Sequence, residues 1–272
     1  MLTRVDVKTD LGVLLALSLE DPSNGYVIEE VEGLDPVKAT LVSSSFAQLD
    51  GQQYQSSRRD SRNLKFKIRL EPDYTMESVR DLRRRLYNFF MPKSSVNFRF
   101  YVDDVTVDIS GRVESFETSM FSKDPTVDIS VMCFKPDFYD PVPVLRPGFT
   151  TSGELEVLHN YVGTVETGIV FTLQVNRTLS EFTIYHKTPG GVIETMDFSA
   201  PLIAGDVLEI STIPGAKSAT VTRSNSPSSI LYGISPYSKW IELQPGDNYI
   251  RVYAEGAAIP YEIEYTKKYG GL

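Results

Sequence analysis

One cysteine, one tryptophan and two histidines in 272 residues leave this chain short of the side chains on which most metal proteins and acid–base enzymes rely. The lone Cys133 excludes an intrachain disulfide and a thiolate cluster for a structural metal. It lies in the strand-like run Val127 to Phe134, where a small buried hydrophobe is the expected role. His159 and His186 stand far apart, without a His or Cys at ligand spacing, and are expected on the surface or at strand flanks. No Gly-rich phosphate loop, Gly-x-Ser-x-Gly elbow or His-Glu-x-x-His is present. Asp103, Asp104 and Asp108 lack the glycine and terminal glutamate of a calcium loop and read as a hairpin tip. Nothing singles out one pair among the 36 acids for glycoside cleavage. No catalytic residue, metal site or cofactor is therefore assigned.

Long apolar runs are missing too. No stretch approaches 18 uncharged apolar residues, so no transmembrane helix or membrane insertion is expected. Met1 to Lys8 has no basic stretch leading into an apolar core, which argues against a signal peptide and for a soluble protein made in a cytoplasm. A net charge of −9 disfavours polyanions. The acidity is shared, with 18 Lys+Arg against 23 Asp+Glu up to residue 145 and 9 against 13 beyond it.

What the chain does have is strand patterning. Its length favours two domains. In Asn63 to Leu70, the residues Leu64, Phe66, Ile68 and Leu70 alternate with polar ones and bury one face of a strand. Val79, Leu82, Leu86 and Phe89/Phe90 make the apolar stripe of a helix from about Met76 to Met91, with Thr75 as its cap and Pro92 at its end. Period two then returns through Val96, Phe98, Phe100 and Val102 to Val131. Residues 1–140 read as an α+β domain, sandwich- or barrel-like with one helix, and residues 141–152 as a Pro-rich linker. Residues 153–272 show short strand patterns, among them Gly168 to Val175, Glu181 to Lys187, Ser229 to Ile234 and Tyr261 to Tyr265, which predict a β-sandwich. The fold class is mainly β.

Two sets of residues are candidates for contacts. The run Arg58, Arg59, Arg62, Lys65, Lys67 and Arg69 admits three readings: a solvated strand face, a protein interface, or a phosphate-binding strip. For the interface, Glu29, Glu30 and Glu32 supply an acidic counterpart in another copy. In the second domain Trp240 and Tyr237 are candidate sugar contacts, although tyrosine at strand positions is also ordinary sandwich filling.

The order of several motifs resembles the distal tail proteins of long-tailed, siphovirus-type bacteriophages. These are Tyr26 to Pro36 with its Gly33-Leu34 pair, Asp50-Gly51, the arginine-containing strand Arg62 to Leu70, the single helix, and the Asp137-Phe138-Tyr139 exit. In the second half they are Asn160 to Thr164, Ala204 to Ile210, Leu243 to Ile250 and the terminal Tyr269 to Leu272. The resemblance implies a ring, usually a hexamer, at the tail tip of the virion. Its first domain packs ring-wise and onto the tail tube, while a galectin-like sandwich points outward. The ring is then a hub between tail tube and tip, baseplate or fibre proteins, in contact with the tape-measure protein, for host attachment and DNA passage. The alternative is a carbohydrate-binding module or lectin recognising host surface glycans; a cell-wall hydrolase ranks below both.

Overall fold

Period-two alternation shapes the first of two units, which comprises Met1–Pro141 and Tyr269–Leu272. The computed structural model describes every residue except Met1, Glu20, 47–49, Asp104, Met120 and Phe121. The strands are β1 (Leu2–Thr9), β2 (Leu14–Ser18), β3 (Tyr26–Glu32), β4 (Ala39–Ser44), β5 (Gln53–Arg59) and β6 (Arg62–Leu70). Helix α1 (Val79–Phe90) follows, then β7 (Ser95–Val102), β8 (Val105–Thr118), β9 (Thr126–Cys133) and β10 (Phe138–Tyr139). Seven of them run in the order β8-β7-β1-β2-β3-β6-β9, and β9 pairs back onto β8, so the sheet closes into a barrel. Closure removes the free edges through which open sheets aggregate. Every pairing in the ring is antiparallel except β2 with β3, which touch at Ser18 and Val27.

The barrel interior is filled by side chains. Phe66 stacks on Phe98 at 4.9 Å between ring centres, and Phe98 on Phe90 of the helix at 6.4 Å. Leu82, Leu86, Phe89 and Phe90 bury the helix stripe, at about 1.5–3 kcal/mol per large apolar side chain. The helix starts three residues later than the sequence suggested, and Thr75 does not cap it. Thr75 is instead held by Asp73, while Ser78 sits at the cap and gives its N–H and hydroxyl to the Asp81 carboxylate at 3.1 and 2.7 Å. Val102 pairs with Val105 across a two-residue turn. Asp103 lies in that turn, whereas Asp104 falls outside the described residues.

The second unit, Val142–Lys268, is an insertion, because the last four residues belong to the first. Its strands are β11 (Val144–Phe149), β12 (Val157–Tyr161), β13 (Thr167–Gly168), β14 (Val170–Gln174), β15 (Leu179–Lys187), β16 (Ile193–Leu202) and β17 (Val207–Ser211). They continue as β18 (Ser218–Arg223), β19 (Ser226–Ser229), β20 (Glu242–Leu243), β21 (Gly246–Tyr253) and β22 (Pro260–Tyr265), while the last strand, β23 (Lys268–Tyr269), joins β10 in the sheet of the first unit. A six-stranded sheet, β11-β22-β14-β17-β18-β19, packs on a four-stranded one, β12-β21-β15-β16, to form a β-sandwich. Phe171 of the first sheet meets Phe182 of the second at 5.9 Å, and Phe182 stacks on Phe198 at 4.9 Å.

Two expectations change here. Residues 141–152 are not a free linker, since β11 occupies 144–149 and pairs along its length with β22. Pro147 is tolerated because β11 is an edge strand, where a missing N–H costs no ladder bond on the open side. Ser229 to Ile234, expected as a strand, instead includes a 3₁₀ turn at Leu231–Gly233.

Candidate functional site

The parity of β6 decides the fate of the basic run. Leu64, Phe66, Ile68 and Leu70 face the core, and Arg62, two residues before Leu64, shares that face. It is 1% exposed. Its Nε donates to the Pro136 carbonyl at 2.7 Å and its Nη1 to Asp35 at 2.7 Å and to Gly33. Nη2 reaches the Gly270 carbonyl at 2.5 Å, and the guanidinium lies 4.4 Å from the Phe138 ring centre. Burial pulls its pKa down from the ordinary arginine value, yet four carbonyls compensate the charge. Arg62 is therefore a clasp joining three stretches of the first unit, and not the surface contact expected. The signal was present in the alternation, because an arginine two places before a buried leucine in a strand points inward with it.

Arg59, Lys65, Lys67 and Arg69 of the run also find partners within the chain. Arg59 forms a two-pronged pair with Asp137, whose side chain is almost wholly buried. Register sets Glu32 opposite Lys65 and Glu30 opposite Lys67. Lys65 meets Glu32 at 2.9 Å, Lys67 meets Glu29 at 3.5 Å, and Arg69 reaches both Glu29 and Glu71. The hydrogen bond from Lys65 to Glu32 raises the lysine pKa. The acidic strand thus lies beside the basic one in the same copy, so the expectation that another copy supplies the counter-charge is corrected. Exposed pairs of this kind are individually weak.

What remains uncommitted is the β4–β5 hairpin. Among the described residues its two strands pair only with each other, and every strand residue is exposed except Ser44, which is half-buried. Leu41 is 68% exposed and Tyr54 61%, with Val42 and Arg58 on the same hairpin also in solvent. Its base is fixed by Asp60 N–H to the Lys38 carbonyl at 3.0 Å, by Thr40 Oγ1 to Asp60 at 2.8 Å, and by Arg59. A two-stranded ribbon with no covered face is marginal in water. Such a ribbon gains stability only from a partner surface.

In the second unit Trp240 is half-buried against the sandwich core, and the Lys217 ammonium sits 5.3 Å from its ring centre. One face of the ring is thus covered, whereas Tyr237 is 92% exposed. Both histidines prove to be buried, against expectation. His159 and Asn248 are register partners, and His186 Nε2 lies 3.0 Å from Asn248 Oδ1. Glu194 approaches His186 Nδ1 at 3.6 Å, while neither ring nitrogen of His159 has a hydrogen-bond partner. Burial, with Arg146 and His186 nearby, lowers the His159 pKa to about 4. Period two hides a buried histidine as easily as a leucine, which is why sequence reading missed them. Cys133 is buried as expected, and burial lifts its thiol to about 12. Among the described residues no group of three or more His, Cys, Asp or Glu side chains is placed to hold a metal ion, and no helix is long and apolar enough to cross a membrane.

Residues 162–269 match the family profile described as "Siphovirus-type tail component, C-terminal domain". The whole chain superposes on the crystal structure of SPP1 Dit with a TM-score of 0.67 and 16% identity, covering 97% of this chain and 98% of that one. That protein is described as a paradigm of the hub adsorption apparatus in phages infecting Gram-positive bacteria. A chain of the phage P2 baseplate, in its activated conformation with calcium, matches at a TM-score of 0.48 and 9% identity over the full length of both. No curated protein sequence matches. The resemblance to distal tail proteins is thus carried by sequence across most of the sandwich and by fold across both units.

Proposed function

We propose that this chain is a structural component of a siphovirus-type phage tail. It assembles with copies of itself into a ring at the distal end of the tail, a hexamer by the family resemblance, and works as a hub between the tail tube and the tip or fibre proteins. The observation that carries this reading is the common fold with SPP1 Dit over 97% of the chain. The tail-component profile over residues 162–269 supports it from sequence. The exposed β4–β5 hairpin supports a role exercised through protein contact, and it is the surface we assign to assembly, with Arg58, Leu41 and Tyr54 at its centre. The Glu29, Glu30, Glu32, Lys65 and Lys67 ladder is assigned as a second, polar contact, and Arg59 anchors the base of the hairpin. In this reading the protein acts by binding and not by catalysis, and its place is the virion tail tip.

The test is the mass of the purified full-length chain by light scattering and native mass spectrometry, alone and with the tail-tube protein of the same phage. A closed ring, or a ring formed on adding tube protein, is the expected outcome. A chain that stays monomeric and also fails to join tube protein would sink the proposal.

A further inference from the structure

The two larger sheets of the second unit have four edge strands, and three of them carry a guard against pairing with another chain. β11 contains Pro147 and β19 contains Pro227. β16 is covered by the segment after residue 234, since Ser235 N–H donates to the Asp197 carbonyl at 3.0 Å and Lys239 N–H to Thr195 at 2.9 Å. β12, Val157-Leu158-His159-Asn160-Tyr161, has neither proline nor a charged residue, and its outer side has no strand neighbour. Natural proteins rarely leave such an edge open without use for it.

The register states which groups the edge offers. On the β12 side of β21, Val252 accepts from Thr151 N–H at 2.9 Å and Ala254 donates to the Thr151 carbonyl at 3.1 Å. Even-numbered residues of β21 therefore turn their main chain toward β12, where Ile250, Asn248 and Gly246 meet Val157, His159 and Tyr161. It follows that Leu158 and Asn160 turn their N–H and C=O outward. The outer face beside them is mixed: Leu158, 51% exposed, is aligned with Tyr249, which in turn aligns with Lys187, its ammonium 5.6 Å from the Tyr249 ring centre, and, beyond it, Ile193.

We propose that β12 is a docking edge that accepts one extended segment of another protein as an added strand, with alternating apolar side chains and basic ones between them. The sign follows from the charges nearest the edge. Glu154 and Glu156 lead into β12 in solvent and Asp247 stands at its far end bonded to Asn160 at 2.7 Å, while the basic groups of that face, Arg251 and Lys187, sit on the inner strands β21 and β15; residues 146–272 carry 9 Lys+Arg against 13 Asp+Glu. A second copy of this acidic unit brings like charge, whereas a basic strand meets opposite charge. This inference stands on the second unit alone and does not depend on ring formation.

The experiment uses the full-length chain with two synthetic octapeptides, alternating Lys-Val and alternating Glu-Val, followed by titration and by amide hydrogen exchange. The Lys-Val peptide binds and slows exchange at Leu158 and Asn160, while the Glu-Val peptide does neither. Asn160→Pro removes an outward donor without touching the β21 ladder, and weakens binding about tenfold with melting little changed. Should that variant fail to fold, Leu158→Lys sets like charge against the Lys-Val peptide and gives the same loss. Equal binding of both peptides, protection confined to other segments, or concentration-dependent protection at Leu158 without peptide would each overturn the proposal, the last by naming a second copy as the occupant.

Discussion

Arg62 and Gly270 stand 208 positions apart in sequence, and the arginine's Nη2 donates to the glycine's carbonyl at 2.5 Å. The same guanidinium holds Gly33, Asp35 and Pro136, so the departure of the chain from the first unit and its return are tied to one side chain. Removing it takes one shared donor from four carbonyls at once. Arg62→Ala is expected to cost about 3–5 kcal/mol, the range for breaking one side of a buried charged contact. Arg62→Lys recovers only part of that, because an ammonium cannot span the fork. Urea denaturation followed by circular dichroism checks both. A loss within 1 kcal/mol for the alanine variant would contradict the clasp.

Arg58 and Arg62, four residues apart, therefore separate assembly from folding. Arg58 is exposed on the hairpin, and Arg62 is inside. Arg58→Glu and Leu41→Asp are expected to leave the melting temperature within a few degrees of the parent and to reduce the fraction of ring seen by light scattering. Arg62→Glu is expected to prevent stable folding. If Arg58→Glu and Leu41→Asp leave ring mass intact, the hairpin is not the assembly surface.

The buried His159 gives stability a pH dependence with a definite sign. Its pKa is about 4 in the fold and near 6.5 when unfolded, so the unfolded chain takes up a proton that the folded chain refuses. Above pH 6.5 the group is neutral in both states and has no effect. As pH falls from about 6.5 to about 4, stability is lost, by about 2–3 kcal/mol in total from this residue. His186, Glu194, Asn248 and Arg146 surround the pair, so His159→Gln isolates its share. Denaturation at pH 7.5 and 4.5 should show a smaller acid loss for the glutamine variant, and equal losses would contradict the assignment.

How much of this was legible depended on whether the deciding contact was local. The β6 alternation and the helix stripe at Leu82, Leu86 and Phe90 lie within single elements, and both appear as read. β1 and β2 were not read as strands, because their strand character comes from pairing with each other and, for β1, with β7. The Lys217 ammonium over the Trp240 ring comes from another segment, and no local pattern shows it. The Glu32 and Lys65 pairing turned on register, which sequence does not print.

Gly33 and Gly12 offer a test of the close approach at the clasp. Both have positive φ, +88° and +82°, so alanine at either pays the same left-handed cost of about 1–2 kcal/mol. They differ in surroundings. A Cβ at Gly12 meets nothing within 4 Å, whereas one at Gly33 would stand 2.1 Å from the main-chain carbonyl oxygen of Asn63, next to the residue whose guanidinium binds Gly33's own carbonyl. The backbone there cannot yield without moving β6. Gly12→Ala is accordingly expected to lose about 1–2 kcal/mol, and Gly33→Ala about 3 kcal/mol or more together with faster exchange of the Leu272 N–H that donates to the adjacent Leu34 carbonyl at 3.0 Å. Equal losses at the two glycines would mean that the Gly33-Leu34 pair serves only as a turn; a larger loss at Gly33, with the last residues exchanging first, ties that pair to the closing of the first unit.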